Sequence, residues 1–360
     1  MKIGIVGMPN AGKSSLFNAL TKAGAEAANY PFTTVEPNVA IVPVRDERLE
    51  RVAATIAATP IVYETIAFHD IAGLVRGASE GEGLGNKFLA NIRETDAILH
   101  VVRAHHDDQV VHPEGSVDPA RDVETIETEL LLADLEQAER RLERVERQAK
   151  SGDKPLMAEA AWLRALVEAL REGKPARSVP VPADAPEALR NLQPLTAKPV
   201  LFVANVGEDG PLEPPAEIAA IAQRAGAKAV AVSARIDAEL SELDEEEAAL
   251  MRSELGAAES GLDTVVRGAF ELLDLISFFT AGEAKEARAH AIPRDTTAWE
   301  AAGKVHSDIQ RGFVRAEVVG CEELIAGGGY AGAREAGALR LEGRDYLMRD
   351  GDVITIKFTP

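Results

Sequence analysis

Short runs of consecutive apolar residues recur along the first 275 residues, and between them apolar positions fall three and four apart. The runs at 2–7, 39–44, 61–70, 97–103, 199–205 and 228–233 have the continuous apolar character of strands buried on both faces. The stretches between them read as helices, so the pattern predicts an α/β fold on a mostly parallel sheet. The alternation is interrupted at about 122–196. From Asp122 to Lys150 there is neither Gly nor Pro, and Leu131, Leu135, Ala138, Leu142, Val145 and Ala149 repeat at spacings of four and three, the seam of a helix packed on another helix. Ser151-Gly-Asp-Lys-Pro155 breaks that seam, and Leu156, Leu163, Leu166 and Leu170 mark a second helix. The two helices predict an antiparallel hairpin inserted into the α/β domain. The Pro-rich stretch 178–186 reads as a connector. From 278 onward, short strands (287–292, 314–319, 352–358) surround one helix (297–309), the pattern of a small α+β module.

At 360 residues, and roughly 150 residues per domain, two or three domains are expected. The pattern places them at 1–121 with 197–277 (a nucleotide-binding domain, as argued next), 122–196 (the helical insertion) and 278–360. A single cysteine, Cys321, excludes an intramolecular disulfide scaffold and favours a reducing compartment. No apolar run reaches the ~18 residues of a membrane span, so no membrane partner and a soluble, cytoplasmic protein are expected. The formal charge of -20 repels nucleic-acid phosphates at long range, and any such contact has to be local. The charge is uneven: 278–360 holds 11 Lys plus Arg against 13 Asp plus Glu, and Arg140, Arg141, Arg144 and Arg147 form a basic cluster on the insertion.

The sequence Gly7-Met-Pro-Asn-Ala-Gly-Lys-Ser14 is a full G-x-x-x-x-G-K-S match, set between the first apolar run and a helical pattern. In that context, the glycines let backbone N–H groups close around a phosphate and the helix N-terminus adds partial positive charge. Asn10, Ala11, Gly12, Lys13, Ser14 and Ser15 are thus candidate nucleotide contacts, with Lys13 on the outer phosphates and Ser14 on Mg²⁺. Two further elements follow in the order expected of a switch protein. Pro31-Phe-Thr-Thr34 lies between the first helix and second strand, where Thr34 would complete the Mg²⁺ shell. Asp70-Ile-Ala-Gly73 ends the third predicted strand, with Asp70 on Mg²⁺ and the Gly73 amide sensing the γ-phosphate.

Two departures shape the expected chemistry. Guanine is read in this class by an N-K-x-D element, but here the strand ends Asn205-Val-Gly-Glu208. The lysine is missing and Glu replaces Asp, so ATP is expected over GTP, unless Asp209 shifts into the guanine-reading place. Asn205, Val206, Glu208 and Ser233 are the candidate base-side contacts. Leu74 stands where a Gln would orient the attacking water. Leucine has no hydrogen-bonding group, so another residue must do so and intrinsic turnover is expected to be slow.

Together with Asn29-Tyr-Pro-Phe-Thr-Thr-Val-Glu-Pro-Asn38, Asp70-Ile-Ala-Gly-Leu-Val-Arg-Gly77 and Arg340-Leu-Glu-Gly-Arg-Asp-Tyr346, these motifs resemble the YchF family of Obg-like ATPases over essentially the whole chain. The resemblance implies a GTPase-like P-loop NTPase domain, a coiled-coil insertion and a C-terminal ubiquitin-like TGS domain. It further implies an ATPase that binds ribosomes and modulates translation or stress responses; the charge of -20 makes the expected rRNA or ribosomal-protein contacts local. His112 aligns with the loop histidine that replaces the missing Gln in catalysis, and Asn10 with an asparagine that helps related enzymes hold K⁺. A monomer is expected. Two alternatives stand beside this reading: an Obg-type GTPase in ribosome assembly, and a nucleotide-gated binding module in which hydrolysis only resets the state.

Overall fold

The computed structural model describes residues 1–27, 38–71, 84–107, 110–150, 152–208, 210, 213–240, 243, 245–254 and 260–359. Two compact units emerge, Met1–Val42 with Ala67–Leu272, and Pro43–Ile66 with Leu273–Pro360. In chain order the elements are β1 (Lys2–Val6), α1 (Lys13–Ala27), β2 (Val39–Val44), α2 (Glu47–Ile56), β3 (Ile61–Val62), β4 (Glu64–Asp70), α3 (Leu84–Arg93), β5 (Ala97–Arg103), α4 (Pro119–Ala149), α5 (Lys154–Arg171), α6 (Ala188–Leu192) and β6 (Val200–Asn205). There follow α7 (Ala216–Arg224), β7 (Lys228–Val232), α8 (Ala234–Leu240), α9 (Glu245–Glu254), α10 (Gly261–Leu272), β8 (Leu275–Ala281) and β9 (Ala287–Pro293). The last elements are α11 (Ala298–Val305), α12 (Ser307–Arg311), β10 (Phe313–Gly320), α13 (Cys321–Ala326), α14 (Tyr330–Glu335), β11 (Arg340–Glu342) and β12 (Asp352–Phe358).

The first unit is built on a six-stranded sheet in the order β2-β4-β1-β5-β6-β7. β1 runs parallel to β4 and β5, and β6 runs parallel to β5 and β7. Every position of β5 is buried, His100 and Arg103 included, which is why the strand is apolar apart from those two residues. Strand order reverses between β1 and β5, the topological switch point beyond whose carboxyl ends α/β sheets bind ligands.

The helical insertion grows from this sheet. Asp118 caps α4 by accepting the Arg121 amide at 3.0 Å, and a proline opens the helix. Ala138 and Val145 on α4 bury against Leu163, Leu166 and Leu170 on α5, the seam that the heptad spacing predicts. At the root, the buried Asp134 carboxylate accepts the Leu195 and Thr196 amides at 2.7 and 2.8 Å, tying α4 to the segment that leads into β6.

The second unit holds a mixed sheet in the order β11-β10-β12-β8-β9-β3. β10 is antiparallel to β11 and β12, β12 is parallel to β8, and β9 is antiparallel to β8 and parallel to β3. Ala298, Ala301 and Ala302 of α11 cover one face, on Phe278, Val318 and Ile354. Leu49, Val52, Ala53 and Ile56 of α2 cover the other, with Phe279, Val319 and Val353. Burial of Leu49, Val52 and Ile56 contributes on the order of 1.5–3 kcal/mol each.

Three sequence expectations are corrected here. The segment 43–66, expected within the nucleotide-binding domain, joins the second unit. The run at 61–70 is two strands, broken at Tyr63, with β3 in the second sheet and β4 in the first. The single helix expected at 297–309 is likewise two, because His306 adopts extended backbone (φ -165°, ψ 143°) and its ring nitrogen caps α12 at the Asp308 amide. Among the described residues no helix is long and apolar enough to cross a membrane.

Candidate functional site

The phosphate loop joins β1 to α1, and its backbone is confined to what these residue types permit. Gly7 and Gly12 have φ of +154° and +96°, and Asn10 has φ of +62°. A Cβ on Gly7 would lie 2.3 Å from the Val101 carbonyl oxygen, and one on Gly12 would lie 2.1 Å from Asn205 Nδ2. Both positions therefore exclude a side chain. The loop delivers Lys13, Ser14 and Ser15 at the N-terminus of α1, where first-turn amides have no intrahelical partners and favour anions.

Lys13 is buried, and its ammonium donates to the carbonyls of Gly7 (3.1 Å) and Met8 (2.8 Å). Burial pushes its pKa down to about 8, opposed by the charge of Asp70. Asp70, at the end of β4, is raised for the same reason, with Lys13 opposing. Both groups are thus held in a poorly solvated place where a bound phosphate and a divalent cation would stabilise their charged forms. Among the described residues no three His, Cys, Asp or Glu side chains are placed to hold a metal ion. The Ser14 hydroxyl and Asp70 carboxylate are, however, hard oxygen donors, a set that suits Mg²⁺ completing its shell with water and phosphate oxygens.

Asn205 braces this loop. Its Nδ2 donates to the Ala11 carbonyl at 3.0 Å and its Oδ1 accepts the Ala234 amide at 3.2 Å. Both ends of the side-chain amide are engaged by protein, so Asn205, which also lines the cleft, braces the loop in a fixed orientation. The Val206 amide donates to the Val232 carbonyl at 2.9 Å, which leaves its own carbonyl as the backbone group available to a base. Glu208, in the place of the guanine-reading Asp, pairs with Arg235 at 2.8 Å. Ser233 is buried, and its Oγ has no hydrogen-bond partner among the described residues. Lys13, Ser14, Val206 and Ser233 are among the residues lining a cleft of about 1500 Å³, ample for a nucleoside triphosphate.

His112 stands apart from that cleft lining. Its ring is buried, with Nε2 2.8 Å from Asp122 Oδ2 and Nδ1 accepting the Glu114 amide at 3.2 Å. The preceding carbonyl, of Val111, accepts Asn10 Nδ2 at 3.0 Å, so phosphate loop and histidine loop are joined one residue from the ring. Thr34, Gly73, Leu74 and Asp209 lie outside the described residues.

Two residues of the site escaped the sequence reading. Arg103, wholly buried at the end of β5, donates to the carbonyls of His105, Val110 and Asp107 at 3.0–3.2 Å and shapes the loop leading to His112. His100 faces Val6 in register, and burial with the Lys13 charge nearby pushes its pKa down to about 3, which keeps it neutral. The available signal was polar residues inside an otherwise apolar strand, Ala-Ile-Leu-His-Val-Val-Arg.

Comparison with known proteins identifies the family. The profile of a 50S ribosome-binding GTPase matches residues 2–146. That of the YchF GTPase C-terminal domain, described as a protein of unknown function, matches 275–359. The chain is 50% identical to the ribosome-binding ATPase YchF of Bacillus subtilis (strain 168), over 99% of this chain and 98% of that one. It is 48% identical to the protein of the same name in Escherichia coli O157:H7, over 99% of each. The solved structure of the Schizosaccharomyces pombe YchF GTPase superposes with a TM-score of 0.87 at 34% identity, covering 99% of this chain and 97% of that one. A P-loop GTPase-like unit with a helical insertion, a C-terminal YchF domain and full-length identity near one half together place this chain in the YchF family.

Proposed function

We propose that the protein is an ATPase that hydrolyses ATP in preference to GTP and associates with ribosomes as a cytoplasmic monomer. The observation that carries the nucleotide reading is the loop itself: a buried lysine at a helix N-terminus, in a backbone braced by Asn205 and opening on a large cleft. Lys13 and the first-turn amides of α1 hold the phosphates. Ser14, Asp70 and Thr34 would hold Mg²⁺, which supplies charge neutralisation of the phosphates when bound. Asn10 has committed its Nδ2 to Val111, so its oxygen is the end it would offer to K⁺. The base preference is supported by Glu208, which is tied to Arg235. His112 is the residue that orients water once it leaves its buried position. The ribosomal role is supported by the printed names of the relatives. We assign its contacts to rRNA phosphates or ribosomal protein at local basic places such as Arg140, Arg144 and Arg147, because the whole chain carries -20.

Titration calorimetry with ATP and GTP tests the base assignment, and tighter binding of GTP overturns it. Single-turnover hydrolysis tests His112: His112→Ala is expected to slow the step strongly while ATP affinity stays near wild type. Co-sedimentation with ribosomes in different nucleotide states tests the partner.

A further inference from the structure

The surroundings of His112 pose a chemical problem for a water-orienting group. Nδ1 accepts the Glu114 amide, which assigns the ring proton to Nε2, and that proton is donated to Asp122. Neither ring nitrogen is left for water. Asp122 is itself held, since it sits in the first turn of α4 with its amide bonded to the Asp118 carbonyl at 3.0 Å and its Oδ1 3.6 Å from Arg121 Nη2. The local polarity is also inverted: residue His112 is 7% exposed, whereas the apolar Val111 beside it is 78% exposed. The segment closes on itself through the Gly115 amide and His112 carbonyl (3.0 Å), and Gly115, with φ of +81°, has nothing within 4 Å of where a Cβ would stand. That glycine sits in open space, in a conformation that residues with a side chain rarely adopt.

We infer that Asp122 is a positioning residue that stows His112 away from the cleft, so that hydrolysis requires the His112–Asp122 hydrogen bond to open. This rests on the reading of His112 as the group that orients water. The stowed form is the ground state of the free protein, and the rate of its single turnover is scaled by the small fraction of molecules with the ring released. A hydrogen bond to a charged acceptor holds the stowed form by enough to suppress the released one about tenfold or more. The link through Asn10 to Val111 places the phosphate loop in a position to bias that equilibrium.

Single-turnover ATP hydrolysis by the full-length wild type, Asp122→Ala, Asp122→Asn, His112→Ala and the Asp122→Ala/His112→Ala pair tests the inference, with ATP affinity measured alongside. Asp122→Ala is expected to raise the rate about tenfold at unchanged affinity. Asp122→Asn, which keeps an acceptor oxygen and loses the charge, is expected to fall between it and wild type. In the His112→Ala background, removal of Asp122 is expected to have no effect. An Asp122→Ala rate at or below wild type, with His112→Ala slow and ATP affinity intact, overturns the stowing role alone. A His112→Ala rate equal to wild type overturns the underlying reading of the histidine. Should the Asp122 variants fail to fold, long-range ¹H–¹⁵N spectra of the wild type decide: the Nε2-protonated signature is expected to change on addition of a non-hydrolysable ATP analogue, and its persistence overturns the inference.

Discussion

Asn205 donates its side-chain amide to the carbonyl of Ala11 at 3.0 Å, joining positions 194 apart in sequence. The same side chain accepts the Ala234 amide, so the phosphate loop, the end of β6 and the start of α8 share one connector. Asn205→Ala removes both bonds and leaves two buried backbone groups without partners, a loss of about 1–3 kcal/mol for each. The variant is expected to unfold at lower denaturant in its first unit and to bind ATP at least tenfold more weakly. Calorimetry and urea titration check both, and wild-type affinity would show that the brace is dispensable.

The Lys13 ammonium gives the site a pH dependence. Burial holds its pKa at about 8 before ligand binds, and phosphate oxygens favour the charged form, so its pKa rises on binding. Below about pH 8 the ammonium is already present. Above it a proton has to be taken up, and affinity falls as pH rises, towards a limit of about tenfold per unit. Calorimetry in buffers of different ionisation enthalpy should detect proton uptake near pH 8 to 9. Affinity that is flat from pH 7 to 9.5 contradicts this.

Ser233, in the cleft, carries a buried hydroxyl without a partner among the described residues. An unsatisfied buried polar group costs about 1–3 kcal/mol, which Ser233→Ala relieves. The variant is expected to be at least as stable as wild type without ligand, yet to bind nucleotide more weakly. Lower stability together with unchanged affinity would assign the serine to packing instead.

In the second unit, burial pushes the pKa of His290 down to about 4, in a place where its ring stacks on Phe278 at 4.8 Å and Nε2 meets Thr280 Oγ1 at 3.0 Å. The unfolded chain, with a histidine pKa near 6.5, binds more protons than the folded one between about pH 6.5 and 4. Stability contributed by the neutral ring is therefore complete above about 6.5 and lost as pH falls through 4, a change of about 3 kcal/mol. Urea titrations of the wild type at pH 7 and pH 4.5 should show this loss, and His290→Gln should flatten it. An equal pH dependence in the variant would place the effect on other groups.

Much of this molecule is written locally. The phosphate loop was legible because its requirements are local: positive φ at Gly12, a lysine at the helix start and a preceding apolar strand. The α4–α5 hairpin was legible because a heptad spacing names its own packing partner. The apolar face of α2, in contrast, states that Leu49, Val52 and Ile56 are buried but not on which sheet, and the fold uses them in the second unit. The break at Tyr63 was hidden for a related reason, since two strands of different sheets have the same apolar character as one.

For the site, the sequence by itself determined which residue types are present and, through spacing, that Lys13 and Ser14 start a helix behind a phosphate loop. Only the tertiary structure decided that Asn205 spends its side chain on Ala11 and Ala234, that Glu208 turns to Arg235, and that His112 lies buried on Asp122. Backbone conformation follows from neighbours along the chain, but the partner of a polar side chain depends on groups brought within about 3 Å by packing from distant positions. Spacing along a sequence carries no record of that.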